Sequence, residues 1–207
     1  QTMAYGRAAQ AGEDELRVVY PVFSVIFFFP FALINDFMMA RALWLTTLEA
    51  GVVLLAYLSI RLMQWKPKFW MTASVFLFSV LWYHGINPVI NGNSIVLAAV
   101  MIVGALLALR NGADELAGVL LAFSTIKPQV VVLLILYLLY WGFKKRRFRM
   151  IVWLLGTETL LVLGGVFLLP DWMLQFAREV VRYPSYNPMS TLGGVLHTWS
   201  PALGVKI

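Results

Sequence analysis

Lys127 is the residue whose place in the sequence most directly suggests chemistry. It lies inside apolar sequence and is followed at once by Pro128. A lysine within a membrane costs at least ~2.5 kcal/mol, so it marks a functional candidate. An ammonium beside a broken helix suits a phosphate or pyrophosphate held at the membrane surface. The alternatives are a lysine that extends its ammonium to the interface, or one neutralised by an internal carboxylate.

An Asn-Gly-Asn turn at residues 91–93 begins the stretch that Lys127 ends. Asparagine is a common helix N-cap, so Asn91 or Asn93 could simply cap the helix that follows. If the turn faces the same aqueous side as Lys127, the two amides could instead hydrogen-bond a substrate. Both interpretations stay open from the sequence.

Few other residues suggest a reaction. Glu49 and Glu158 are carboxylates in apolar segments, with Arg41 as a nearby cation, and could form a proton relay. Buried pairing is favoured over a relay, because the two are separated and belong to no repeated motif. The two histidines, His84 and His197, are too few for a histidine metal cage, and we expect no metal and no cofactor.

Several classes of site have no support in the sequence. The chain has no cysteine, which excludes disulfides and thiolate nucleophiles. It has no Walker A loop, no Gly-x-Gly-x-x-Gly, no His-Glu-x-x-His and no Gly-x-Ser-x-Gly. Nucleotide-driven transport and zinc hydrolysis therefore have no local motif.

Composition predicts the fold class. The chain is 61% hydrophobic and 13% charged, with a mean hydropathy of +0.80, whereas a soluble domain is near half apolar and a quarter charged. We expect an all-α polytopic membrane protein that forms one transmembrane domain over residues 1–207 and is an internal piece of a longer chain. Residues 1–20 are an outer loop, 22–169 form membrane helices, and 170–199 form an outer loop with an amphipathic helix.

The apolar segments differ in length. Two of them, 22–34 and 116–126, are short of the ~30 Å hydrocarbon core; the first is either a short span or an embedded hairpin arm. Asn35 and Asp36 form a turn and an N-cap before the next helix. The predicted segments are 22–34, 38–63, 69–83, 95–109, 116–126, 130–143 and 150–169.

Orientation follows from the basic loops. The block 144–149 could suggest nucleic acid, but beside an apolar segment it indicates the cytoplasmic side, so we expect no nucleic-acid partner. With Arg110 also cytoplasmic, residues 116–143 must go out and return, and a broken helix pair with Lys127-Pro128 at its apex satisfies this. Loops 84–94 and 170–199 then face outward. Residues 1–20 lie outside if 22–34 is re-entrant and inside if it crosses; the outside is favoured because the family resemblance below needs it.

An ordered set of short motifs resembles glycosyltransferase family 87, a family of membrane transferases of the GT-C class. The family pattern has a Gly-Gln-x-Asn turn, an apolar helix ending in arginine, a Leu-Ala-Gly helix and Lys-Pro. The matching residues are Tyr5, Ala8-Ala9, Tyr20-Pro21, Ala40, Leu43-Trp44, Asn91-Gly92-Asn93, Leu116-Ala117-Gly118, Lys127-Pro128, and the loop Asn187-Pro188-Met189-Ser190-Thr191-Leu192-x-Gly194.

The resemblance implies an inverting transferase that moves a hexose, commonly mannose, from a polyprenyl-phosphate donor to a lipid or glycan acceptor at the outer face of the membrane. The family's general base is an aspartate a few residues before the tyrosine matched by Tyr5. It is therefore expected at or upstream of residue 1, or this protein lacks it. Lys127, assisted by Arg7, would bind the donor phosphate. Substrate contacts would come from Tyr5, Tyr20, Asn91, Asn93, Asn187 and Ser190.

Two other functions remain alternatives. One is a non-catalytic membrane subunit or scaffold that kept the fold and lost the base. The other is a lipid or small-solute transporter that uses the broken helix as a mid-membrane site. For the enzyme, the expected location is a prokaryotic plasma membrane, with the site facing outward and membrane lipids around the helices.

Overall fold

The computed structural model describes residues 20–186, and in that part of the chain all regular structure is helical. This confirms the predicted all-α fold of a polytopic membrane protein. A 3-10 turn at Val22–Ser24 precedes α1 (Val25–Ala32), α2 (Phe37–Leu62), α3 (Phe69–Leu81), α4 (Tyr83–Ile90), α5 (Ile95–Arg110), α6 (Asp114–Ser124), α7 (Pro128–Lys144), α8 (Phe148–Leu168) and α9 (Trp172–Tyr186).

Local sequence explains where several helices begin. Asp36 caps α2, because its carboxylate accepts a 2.6 Å hydrogen bond from the Met39 amide, as predicted for this turn. Pro128 occupies the first position of α7, where proline's fixed φ and missing N–H suit a helix. Pro21 directly precedes the 3-10 turn.

Residues Phe23–Gly165 form one compact unit. Within it α5 packs most extensively against α6 and α2, and α2 also contacts α1, α3 and α4. Leu48, Val52, Val89 and Val96 form a buried cluster where α2, α4 and α5 meet. Burial of these apolar side chains holds the three helices together.

The remaining described residues, 20–22 and 166–186, belong to a second unit. Its main element is α9, in which Trp172 is buried and most other described side chains are exposed. The rings of Trp172 and Phe176 lie 6.3 Å apart. The predicted amphipathic helix in the loop 170–199 is therefore present as α9.

Two of the described helices, α2 and α8, are long and apolar enough to cross a membrane. Together α3 and α4 make a third candidate that is bent by 48°. The 11-residue α6 is only about 16 Å long, as the sequence predicted for this segment.

The region 84–94 corrects the sequence interpretation. We expected a loop there because of His84, Gly85, Asn87 and Pro88. The chain instead breaks at Trp82 and continues as α4 through Ile90, which leaves only residues 91–94 as a turn. Amides at Gly85 and Ile86 bond back to the Trp82 carbonyl, at 2.8 and 2.9 Å, and restart the helix after the break.

Candidate functional site

Lys127 lies at the break between α6 and α7. The amides of Thr125, Ile126 and Lys127 each donate to a carbonyl three residues earlier, at 3.1, 3.4 and 3.3 Å. This tightens the end of α6, and Lys127 itself (φ −127°, ψ 70°) is not helical. The predicted break at Lys127-Pro128 is confirmed. Lys127 is half-buried and stands at the N-terminus of the 17-residue α7, the positive end of that helix's dipole.

The turn 91–94 has two kinds of side-chain bond. Asn93 accepts a 3.0 Å hydrogen bond from the Ile95 amide through Oδ1, which is a capping bond for α5. Asn91 instead donates from Nδ2 to Oδ1 of Asn87, at 3.1 Å. Of the two predicted alternatives for these residues, capping is present at Asn93, and substrate hydrogen bonding stays a prediction. The Asn91 amide holds the turn against α4.

Trp44 fixes the middle of this turn. Its indole Nε1 donates a 3.0 Å hydrogen bond to the Gly92 carbonyl. Gly92 has φ +62°, and a Cβ there would lie 3.3 Å from Nε1 of Trp44. A side chain at this position would therefore meet both backbone strain and the indole.

Short helix α1 also packs at this end of the unit. Phe28 and Phe31 place their rings 4.8 and 5.3 Å from the Trp44 ring. Phe27 meets Phe123, near the end of α6, edge-to-face at 5.9 Å. These rings connect α1 both to the start of α2 and to the residues just before the Lys127 break.

The α5–α6 hairpin brings Lys127 and the asparagine turn to the same end of the unit. The two helices pack against each other and are joined by residues 111–113. A Cβ on Gly104 would lie 3.3 Å from Leu120, which sets their antiparallel register. Each helix rises about 1.5 Å per residue. The start of α5 and the end of α6 therefore both lie on the same side of that contact, away from the turn at residues 111–113. We call this the asparagine end, defined by residues 91–94 and 125–127.

Glu158 approaches the break from α8. The Thr125 hydroxyl lies 3.0 Å from Glu158 Oε2 and 2.5 Å from the Ala122 carbonyl, so its one proton has two acceptors. The expected buried pairing of the intramembrane carboxylates is wrong for Glu49, which is exposed and forms no ion pair within residues 20–182. Glu158 is half-buried, and its partner is the Thr125 hydroxyl and not a cation.

Charged residues cluster at the opposite end, which we call the arginine end and define by residues 61–68, 110–115 and 144–149. Arg147 forms a 2.6 Å ion pair with Asp114 and donates to the Leu109 carbonyl at 2.9 Å. Its guanidinium also lies 5.5 Å from the centre of the Trp141 ring. Arg149 pairs with Glu115 at 3.3 Å in a far more exposed position. The predicted basic loops therefore meet at one end.

The predicted site residues are thus only partly brought together. Lys127, Asn91 and Asn93 share the asparagine end. Tyr20 belongs to the second unit and is half-buried there. The other four, Tyr5, Arg7, Asn187 and Ser190, lie outside the described residues. Among residues 20–186, no group of three or more histidine, aspartate or glutamate side chains is arranged to hold a metal ion.

Thr125 was not predicted as a site residue. The only sequence signal for it is its position two residues before Lys127. Trp44 appeared in the sequence only as part of a family motif, and its bond to Gly92 spans 48 residues. A contact of that separation depends on helix packing and has no local pattern.

Comparison with known protein families identifies the family of this chain. The sequence profile of glycosyltransferase family 87 matches residues 19–202, most of the chain. The chain belongs to glycosyltransferase family 87. Searches of curated proteins and of solved structures return no match. Membership supports a glycosyltransferase that uses a sugar donor and an acceptor, and the apolar helices indicate that this family 87 protein is a membrane protein.

Proposed function

We propose that this family 87 protein is a GT-C-type transferase whose site lies at the outer face of the membrane. It would move a mannose-like hexose from a polyprenyl-phosphate donor to a lipid or glycan acceptor. The observation that carries the proposal is the position of Lys127. This residue lies in a helix break at the end of the unit opposite to the arginine cluster. By the positive-inside rule, the arginine end is cytoplasmic and the Lys127 end faces outward.

Phosphate chemistry suits this position. Irregular backbone at membrane depth is tolerated where it is buried in protein or lines a water-filled cavity. The N-terminus of α7 adds partial positive charge to the ammonium. A lipid-linked phosphate would reach the break from the bilayer with its chain still in hydrocarbon. Lys127 would then hold the phosphate both in the donor and in the departing polyprenyl phosphate.

Sugar recognition would come from the turn. The Asn93 oxygen is engaged by the Ile95 amide, so Asn93 would donate from Nδ2 to a sugar or acceptor hydroxyl. Asn91, held by Asn87, would contribute through its Oδ1. Tyr5, Tyr20, Asn187 and Ser190 are proposed as further substrate-binding residues, and Arg7 as a further phosphate-binding residue.

The reaction needs one base. The acceptor oxygen forms a bond to the anomeric carbon while the bond from that carbon to the phosphate oxygen breaks. The acceptor proton passes to a carboxylate, and the phosphate leaves with the bonding electron pair. An aspartate at or upstream of residue 1 is proposed as that carboxylate. Lys127 stabilises the charge that develops on the leaving phosphate.

The two lysines that flank α7 provide a matched test. Lys127 precedes α7 and Lys145 follows it. In the full-length protein, transfer from polyprenyl-phosphate mannose should fall about 100-fold or more in Lys127→Ala, because a preorganised charge at the leaving group is lost. Lys127→Arg should keep part of the activity. Lys145→Ala should stay within twofold of wild type.

Comparable rates for Lys127→Ala and Lys145→Ala would show that Lys127 does not bind the phosphate. A wild-type protein that binds the donor and never transfers the sugar would instead support the scaffold alternative.

Orientation can be tested separately, because residues 1–207 contain no cysteine. Asn91→Cys should react with a membrane-impermeant maleimide added to intact cells. Lys145→Cys should react only after permeabilisation. The reverse labelling pattern would overturn the outer-face location while leaving the Lys127 test intact.

A further inference from the structure

We infer that the arginine end contains a second site, which binds an anionic phospholipid: the phosphate lies among Arg61, Lys66 and Arg110, and an acyl chain lies in the apolar cleft beyond Trp65. This site is at the end of the unit opposite to Lys127 and does not depend on the proposed transfer reaction.

A cavity of about 640 Å³ opens where the ends of α2 and α5 meet the loop that follows α2. Ligand pockets generally have volumes of about 300–1,000 Å³, so this one is large enough for a lipid headgroup. Three cations line it, together with polar and aromatic side chains. The lining includes Arg61, Gln64, Trp65, Lys66, Arg110 and Asn111.

No carboxylate of the described residues neutralises the charge of this cavity. Within residues 20–182, Arg61, Lys66 and Arg110 form no ion pair. The two carboxylates at this end, Asp114 and Glu115, are paired with Arg147 and Arg149 instead. Three cations around one cavity repel each other, and a bound phosphate would relieve that repulsion through charge-assisted hydrogen bonds.

Both arginines are held in position. Arg61 donates a 3.2 Å hydrogen bond to the Tyr57 hydroxyl, and its guanidinium lies 5.9 Å from the centre of the Tyr57 ring. Arg110 donates from NH1 to the Leu62 carbonyl, which joins the C-terminal ends of α2 and α5. Fixed guanidinium groups lose less rotational freedom on binding than mobile ones.

The turn after α2 places Trp65 beside the cavity. The amides of Gln64 and Trp65 bond to the carbonyls of Arg61 and Ile60, at 3.1 and 3.2 Å, as in a Schellman helix end. Gln64 takes the position usually held by glycine, with φ 54°. Left-handed backbone is unfavourable for a non-glycine residue, and here the Gln64 side chain lines the basic cavity.

Trp65 also lines a second cavity, which favours a lipid over free phosphate. This cleft of about 580 Å³ lies among α2, α3, α4 and α5 and is lined mainly by apolar side chains, including Ile60, Met63 and Phe78. Its lining follows α2 from Val52 to Met63, a length of about 16 Å. Half of the hydrocarbon core is about 15 Å, so an acyl chain of the adjoining leaflet fits this length.

The test measures lipid binding to the full-length, delipidated protein in detergent by native mass spectrometry. Phosphatidylglycerol should bind with a stoichiometry of one and at least tenfold tighter than phosphatidylcholine with the same chains. Arg61→Ala/Lys66→Ala should weaken phosphatidylglycerol binding at least tenfold, since each cation contributes a factor of about five near an anionic group. Lys144→Ala/Lys145→Ala removes the same charge from the same end, outside the cavity, and should weaken binding less than threefold.

Further measurements distinguish a lipid phosphate from free inorganic phosphate as the ligand. Trp65→Ala should weaken binding of phosphatidylglycerol and leave weak binding of inorganic phosphate unchanged. Equal losses in the two double variants would show general surface attraction and overturn the site. Displacement of the lipid by millimolar inorganic phosphate would show a free-anion site and overturn the lipid assignment.

If the Arg61→Ala/Lys66→Ala variant fails to fold, the single variant Lys66→Ala, in the exposed loop, should still bind phosphatidylglycerol about fivefold more weakly than wild type. Lys127→Ala should bind the lipid as wild type does, whatever its transfer activity.

Discussion

The asparagine end and the arginine end of the Phe23–Gly165 unit use charge in different ways. At the arginine end, Arg147 ties three helices together through Asp114, the Leu109 carbonyl and the Trp141 ring. At the asparagine end, Lys127 interrupts the helical backbone, and a hydroxyl on Thr125 connects α6 to Glu158. Arg147 joins helices and should contribute to stability, whereas Lys127 is proposed to bind a ligand. Variants at the two ends should therefore fail in different assays.

The largest effect on stability should come from Gly118, in the half of α6 nearer the arginine end. A Cβ there would lie 2.6 Å from the Met150 carbonyl oxygen and 2.7 Å from the Leu154 amide nitrogen. Both are backbone atoms of α8, so they cannot move aside as a flexible side chain would. Gly118→Ala should lose about 3 kcal/mol of stability, measured as a lower midpoint of thermal unfolding in detergent.

Gly156 in α8 is the matched control, because no atom of the described part of the chain lies within 4 Å of a Cβ placed there. Gly156→Ala should leave stability unchanged or raise it by up to about 1 kcal/mol through helix propensity. A Gly118→Ala protein as stable as Gly156→Ala would mean that α6 and α8 are not in backbone contact at this end.

Arg147→Ala should have the next largest effect. Its side chain is 33% exposed and that of Asp114 is 17% exposed, so solvent screens the pair in part. Loss of the ion pair, the carbonyl bond and the stacking on Trp141 should cost about 1–2 kcal/mol. The same unfolding measurement checks this, with transfer activity per folded molecule expected to stay near wild type.

Arg149→Ala is the comparison for that variant. Its pair with Glu115 is exposed, at 80% and 44% for the two side chains, and should contribute less than about 0.5 kcal/mol. Should the two arginine variants unfold alike, the arginine end would owe its stability to general charge rather than to Arg147.

A smaller stability effect than that of Arg147→Ala should separate the two roles of Asn93 at the asparagine end. Asn93→Ala removes the cap on the Ile95 amide and should cost about 1 kcal/mol. Asn93→Asp keeps an accepting oxygen at that position but loses the amide protons, so its unfolding midpoint should match wild type. Transfer activity should fall at least fivefold in both variants.

Full activity of Asn93→Asp would restrict Asn93 to capping. Asn93 would then contribute to stability and not to transfer, as is expected for Arg147. Loss of transfer activity would distinguish the asparagine end only through Lys127.

Much of the helix order could be predicted because its signals are local. Asp36 caps α2 as predicted, and Pro128 starts α7 where a proline is best tolerated. The short length of α6 follows directly from the spacing between Arg110 and Lys127. Lys127, Asn91 and Asn93 could be placed at one end because antiparallel helices joined by a short turn must bring those residues together.

The features that the sequence did not predict correctly involve contacts between residues distant in sequence, or residues that are common in both loops and helices. His84, Gly85, Asn87 and Pro88 are common in loops, yet packing against α2 and α5 holds them in α4. The contact of Gly118 with α8 depends on which face of α6 meets that helix, and a single sequence does not contain this register. The same holds for Thr125 and Glu158, which are 33 residues apart.

The bond between Trp44 and Gly92 has a consequence for synthesis of the protein. The chain emerges from the ribosome from its N-terminus, and the Gly92 carbonyl follows the indole by 48 residues. At about 5–20 residues per second, that interval lasts roughly 2–10 seconds. During it, Phe28 and Phe31 have no anchored indole to pack against. Packing of α1 against an anchored Trp44 therefore follows synthesis of the asparagine turn.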